Sequence, residues 1–144
     1  MKILLVDDHE MVRLGLKSYL DLQEDVEVVA ESSNGRKGVE LALELRPDVI
    51  IMDIVMPEMN GIEATMAILE TWPEAKILIL TSYLDNEKIY PVLDAGAKGY
   101  MLKTSSADEI LHAVRKVARG EVAIETEVSK KVQHHRNHIE LHDD

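Results

Sequence analysis

An α/β fold, one parallel sheet wound by helices on both faces, is what this sequence predicts. Three observations predict it. Short apolar segments alternate five times with amphipathic ones between residues 3 and 119. The apolar segments are rich in Val, Ile and Leu, mostly without strict alternation, as strands covered on both faces should be. The length, 144 residues, suits one domain with a core large enough to need no cross-links.

The strands are expected at Ile3–Val6, Val26–Ala30, Val49–Met52, Ile77–Leu80 and Gly99–Leu102. The helices between and after them are expected at His9–Leu20, Gly35–Leu45, Gly61–Glu70, Asn86–Ala95 and Ser106–Arg119, where apolar residues recur at helical spacing, as in Val39, Ala42 and Leu43. Asn34, Asp85 and either Ser105 or Ser106 stand where an N-cap is useful. Pro47 and Pro73 follow two helix ends, and Gly120 closes the last helix. Five (βα) units with right-handed crossovers give a flavodoxin-like, doubly wound (βα)5 sheet of order 2-1-3-4-5. That order opens a crevice at the C-terminal ends of strands 1 and 3.

Composition narrows the setting. There are no cysteines, which fits a reducing cytoplasm. The short apolar run of MKILLVDD ends in two acids and is no secretion signal, and no stretch approaches the roughly 20 apolar residues of a membrane span. A cytoplasmic protein without a membrane partner is expected. The net charge of −11 repels nucleic acid, so any DNA binding belongs to a module outside this chain.

The crevice gathers chemistry. Asp7 and Asp8 follow strand 1 and Asp53 follows strand 3, which are neighbours in the expected order. One Asp after a strand is more often a helix cap than a functional group. Three at one edge are different, because like charges about 4 Å apart repel by roughly 4 kcal/mol per pair at an effective dielectric of 20. A cation relieves that repulsion, and hard oxygen donors suit Mg²⁺. Thr81 ends strand 4 and Lys103 ends strand 5, aimed at the same crevice. Alone, each is an ordinary turn hydroxyl or surface lysine. Together with a metal and a carboxylate they suit a transferring phosphoryl group, with Asp53 as nucleophile.

At this point a resemblance enters. VDDH (6–9), MDIVMPEMNG (52–61), LTS (80–82) and AGAKGYMLK (95–103) resemble the receiver domain of two-component response regulators, from residue 2 to about 120. The resemblance implies a phosphoacceptor at Asp53. It implies Mg²⁺ held by Asp8, Asp53 and the Val55 carbonyl, with Asp7 acting through water. Thr81 and Lys103 would contact the phosphoryl oxygens, and Thr81 with Tyr100 would form the switch pair. Without the resemblance, Tyr100 reads as a half-buried strand residue. AGAKGYMLK and MVRLGL (11–16) look most like the helix-turn-helix (NarL/LuxR-type) subfamily, similar to regulators of cell-envelope stress in Gram-positive bacteria. The implied partner is a sensor histidine kinase, and the implied output is a phosphorylation-driven homodimer controlling a DNA-binding module. Many receivers carry Lys-Pro where this chain has Lys103-Thr104; a cis bond before Thr costs roughly 3–4 kcal/mol, so it is either tolerated or trans.

Other readings compete. A flavin carrier shares the architecture, but acids at the first strand end repel a flavin phosphate. An aspartyl-nucleophile phosphatase of the haloacid dehalogenase type needs a second Asp two positions on, where Val55 stands. A stand-alone receiver, acting by phosphotransfer or docking, competes with the transcriptional reading. No G-x-x-x-x-G-K loop is present.

Two surfaces remain. If Val12, Leu16 and Leu20 face the sheet, Met11 and Leu14 turn aside. If Ile110, Val114 and Val117 face inward, Leu111 and Ala118 are left over. These leftovers outline a candidate dimer surface, with the face around the fourth helix and fifth strand as the alternative. The receiver is expected to occupy residues 1–121, and residues 122–144 to form a linker toward an absent DNA-binding module. In that linker, Ile124, Val128, Val132, His135 and Ile139 draw a weak stripe for a helix from about Thr126 to Ile139. His134, His138 and His142 share a spacing of four, yet a solvated histidine-rich tail is the plainer reading than a metal site.

Overall fold

The structure, a computed structural model, describes residues 1–82 and 86–125. Five strands fall where the apolar runs lie: β1 (Lys2–Val6), β2 (Glu27–Ser32), β3 (Val49–Met52), β4 (Ile77–Thr81) and β5 (Gly99–Leu102). A sixth, β6 (Ala123–Ile124), pairs in parallel with β5 through Gly99 and Tyr100. The sheet order is 2-1-3-4-5-6 and every pairing is parallel. The expected 2-1-3-4-5 order is therefore observed, extended by one short edge strand that periodicity did not reveal.

The helices are α1 (Glu10–Asp21), α2 (Gly35–Leu45), α3 (Gly61–Thr71), α4 (Asn86–Asp94) and α5 (Ala107–Ala118). Their starts have local causes. Asn34 caps α2 by accepting from the Lys37 amide at 2.8 Å. Ser106, not Ser105, caps α5, and Glu109 closes a reciprocal box back to the Ser106 amide. A second box, Asn60 with Glu63, starts α3. Gly120 ends α5 at φ +85, a conformation glycine adopts without cost. The expected cap Asp85 and the expected helix from Thr126 to Ile139, with its histidines, lie outside the described residues. No described peptide bond is cis, the one between Lys103 and Thr104 included.

Two apolar layers sandwich the sheet. Leu4, Val6, Ile50, Met52, Ile77 and Ile79 pack toward α2, α3 and α4, with Tyr100 beside them. Ile3, Leu5, Val49, Ile51, Leu78 and Leu80 pack toward α1 and α5. On α1, Met11 and Leu14 are exposed as expected, at 77% and 56%. On α5 one expectation fails. Leu111 is not turned aside; it is buried with Ile110, Ala113, Val114 and Val117. A helix wedged against both the sheet and α1 buries a wider stripe than one facing a sheet alone. Ala118 is half-buried against the same core. No helix of the described residues is long and apolar enough to cross a membrane.

α4 carries Pro91 inside it. A proline there gives no amide hydrogen to the preceding turn, and its ring crowds the carbonyl four residues back. Hydrogen exchange should therefore find α4 the least protected of the five helices; protection equal to that of α5 would contradict this.

Candidate functional site

Parallel strands deliver their last residues to one edge, and here those residues carry charge. Asp7, directly after β1, is anchored by its amide to the Ser32 carbonyl at 3.0 Å. Asp53, directly after β3, is anchored by its amide to the Val6 carbonyl at 2.9 Å. Both are buried, and Asp53 is 3% exposed. Lys103, after β5, bridges them: its Nζ lies 2.8 Å from Asp7 Oδ2 and 2.9 Å from Asp53 Oδ2. The Lys103 amide donates to the Thr81 carbonyl at 2.8 Å, which ties the ends of β4 and β5 together beside the acids. Thr81 is buried and lines a cavity of about 120 Å³ with Asp8, His9, Asp53, Val55 and Ser82. The residues expected in the crevice, Asp7, Asp8, Asp53, Val55, Thr81 and Lys103, are thus brought together.

Tyr100 is fully buried rather than half-buried. In the β4–β5 register it stands opposite Ile79, one step along the same face from Thr81.

Electrostatics follow from this crowding. Burial pushes the Asp53 carboxyl above the usual carboxylate range; the Lys103 ammonium opposes that shift and the nearby Asp7 adds to it. The Ile54 amide, 2.7 Å from Asp53 Oδ1, helps to hold the charge. Burial works against the charged Lys103, yet its hydrogen bonds to Asp7 and Asp53 outweigh it and hold the ammonium above the ordinary lysine value. Lys103 is therefore a fixed positive charge beside a buried carboxylate that accepts ionisation reluctantly.

Two members of the site were not foreseen. His9 turns its Nδ1 into the acids, 2.9 Å from Asp7 Oδ1, 3.3 Å from Asp8 Oδ1 and 3.5 Å from Asp53 Oδ2, and 3.0 Å from Lys103 Nζ. Asp7, Asp8, His9 and Asp53 offer ligand atoms all within 4.8 Å of one another. Gly61 opens α3 directly under the acceptor: its amide donates to the Ile54 carbonyl at 2.7 Å, and a Cβ there would collide with the Asp53 carbonyl and lie 2.9 Å from Ile54 Cα. Gly61 stands last in the MDIVMPEMNG segment, but only the tertiary approach of α3 to β3 reveals why.

Fold and site together define a receiver domain. The family model described as "response regulator receiver domain" matches residues 3–115, and the chain belongs to that family. The transcriptional regulatory protein LiaR of Bacillus subtilis (strain 168) is 52% identical over 132 residues, covering 92% of this chain and 63% of LiaR. The response regulator protein VraR of Staphylococcus aureus (strain NCTC 8325) is 49% identical over 133 residues, 92% of this chain and 64% of VraR. The chain therefore spans just under two-thirds of these relatives. Among solved structures, a LuxR-family two-component response regulator from Aurantimonas sp. SI85-9A1 superposes with a TM-score of 0.88 at 32% identity, covering 94% of this chain and 96% of that one. The resemblance read from the motifs holds for the receiver family and for its LuxR-type relatives. The chain is a signalling domain of this family rather than a flavin carrier or a dehalogenase-type phosphatase.

Proposed function

We propose that Asp53 accepts a phosphoryl group from a sensor histidine kinase with Mg²⁺ bound, and that the resulting acyl phosphate drives dimerisation of a DNA-binding regulator. One observation carries this reading: a carboxylate 3% exposed, bridged by Lys103 and facing a small cavity shared with Thr81. In the transfer, an Asp53 oxygen bonds to phosphorus as the bond from phosphorus to the donor's nitrogen breaks. Lys103 balances the negative charge that moves onto the site, and the Thr81 hydroxyl contacts a phosphoryl oxygen.

The residues fit the metal. Asp8, Asp53 and Val55 border one cavity and offer two carboxylates and a carbonyl, a hard-oxygen set. Asp7, whose oxygens already engage Lys103 and His9, acts through water. Bound there, Mg²⁺ supplies charge neutralisation for the phosphoryl oxygens. With a small phosphodonor, Asp8→Asn should raise the Mg²⁺ concentration needed for half-maximal phosphorylation by roughly tenfold or more. An unchanged Mg²⁺ requirement, followed by intact mass, would remove Asp8 from the ligand set.

As Thr81 draws toward the phosphoryl group, Tyr100 on the same face shifts with it, and α4, which packs over that face, transmits the change. Dimerisation uses α1. Met11 and Leu14 are exposed there, while the burial of Leu111 leaves Ala118 as the neighbouring contribution from α5. Burying one such side chain is worth about 1.5–3 kcal/mol, so Met11→Asp or Leu14→Asp should weaken the phosphorylated dimer by about tenfold or more in sedimentation. No change in either variant would point to the α4–β5 face.

A further inference from the structure

We propose that the groove between α5 and β6 is the docking site for the chain's own residues 126–139. The groove encloses about 360 Å³ and two elements wall it. On α5, Asp108, His112 and Lys116 recur every four residues and so share one face. On β6 and just beyond it stand Ala123, Ile124 and Glu125, and Met101 and Ala113 add buried apolar lining. One end is acidic. β6 runs parallel to β5, so Glu125 leaves it on the side where α5 begins with Asp108 and Glu109. The hydrogen bonds described for those two α5 carboxylates come from neutral donors, the Tyr19 hydroxyl to Asp108 and the Ser106 amide to Glu109. Their negative charge is left for a cation. Lys116 lies two turns further along the helix, roughly 12 Å at 1.5 Å per residue, too far to neutralise that end.

Two observations name the occupant. The first is place. The described residues end at Glu125, on the rim of the groove, and β6 is last in the sheet order with no described strand on its outer edge. The second is chemistry. In a chain of net charge −11, residues 128–139 hold three cations, Lys130, Lys131 and Arg136, and no acid. Lys130 and Lys131 follow Glu125 by five and six residues, a span short enough to return to the acidic end. Val128 and Val132, four apart, share one face of the helix that the sequence predicts there and match the apolar lining. A lone helix of that length is marginal in water, so a surface that pairs its cations and covers its valines is what it needs to form.

The test is paramagnetic broadening in the full 144-residue chain. The chain has no cysteine, so Gln133→Cys gives a single attachment point for a nitroxide label. The amide signals of Met101, Ala113 and Ala123 should be lost relative to the reduced-label control, while those of Ala42 and Ala64, in the opposite apolar layer, remain. Val128→Asp with Val132→Asp should bring the lost signals back; both positions lie beyond the matched receiver residues 3–115, so the receiver fold stays as the reference. Lys130→Glu with Lys131→Glu should also bring them back, and adding Asp108→Lys with Glu125→Lys to that protein should remove them again. Groove signals that stay sharp in the labelled parent chain, broadening that survives both pairs of tail substitutions, or no effect of the charge exchange would each overturn the proposal. So would broadening passed from a labelled chain to an isotope-enriched unlabelled one in a mixture, which would put a second copy's segment in the groove.

Discussion

Asp53→Asn should carry no phosphoryl group after incubation with Mg²⁺ and a small phosphodonor under conditions that fully modify the wild type. An amide is no nucleophile toward phosphorus, and neither remaining acid combines both partners of Asp53: Asp7 pairs with Lys103 but does not line the cavity with Thr81, and Asp8 lines that cavity without pairing with Lys103. The same substitution should raise the melting temperature at neutral pH. Burial holds the Asp53 carboxyl above its ordinary range, so the folded state retains that proton more readily than the unfolded chain does. Stability therefore falls as pH rises from the ordinary carboxylate value through the raised folded one, and the cost persists above it. The gain from Asn should grow as pH rises from the ordinary carboxylate value through the raised folded one and should vanish below the ordinary carboxylate range. Melting curves across pH check this. A variant less stable than wild type at neutral pH would mean that the Lys103 pairing outweighs the burial.

Gly61→Ala should destabilise the fold strongly and disturb the acceptor as well. The added Cβ meets main chain on two residues, the Asp53 carbonyl and Ile54 Cα, and no rotamer change relieves a backbone collision. Overpacking of this kind costs about 3 kcal/mol. Relief requires α3 to retreat or the Asp53 main chain to move, so phosphorylation should slow as well. Gly15→Ala is the control. It sits in α1 with nothing within 4 Å of the added atom, and replacing an exposed helical glycine should stabilise by about 0.5–1 kcal/mol. Equal denaturation midpoints for wild type and Gly61→Ala would show that α3 yields without cost.

The sheet and most of the crevice were legible in the sequence because a parallel strand ends where its apolar run ends. Whatever polar residue follows is delivered to one edge. That logic places Asp7, Asp53, Thr81 and Lys103 without any tertiary information. It does not reach His9, whose ring position depends on how α1 leaves the sheet edge. Nor does it reach Gly61, which matters through a main chain eight residues away. The Asn60–Glu63 box did have a local signal, the N-x-x-E spacing ahead of an apolar run. Leu111 was misplaced because a single-stripe view of α5 ignores the second wall that α1 provides. The proximity of α1 and α5 is visible in the Tyr19 hydroxyl donating to Asp108, and Arg115 of α5 also pairs with Asp25 in the loop after α1; periodicity announces neither. β6 is only two residues long, too short for any pattern to register.

Asp53, among several crowded acids, is the proposed acceptor. An acyl phosphate is reduced by borohydride to an alcohol, which converts a phosphorylated aspartate into homoserine and leaves free aspartates unchanged. The chain, phosphorylated with Mg²⁺ and a small phosphodonor, then reduced and digested, should show homoserine at position 53 and aspartate at positions 7 and 8 in peptide mass spectra. Homoserine at position 7 or 8 with Asp53 unmodified would contradict the account.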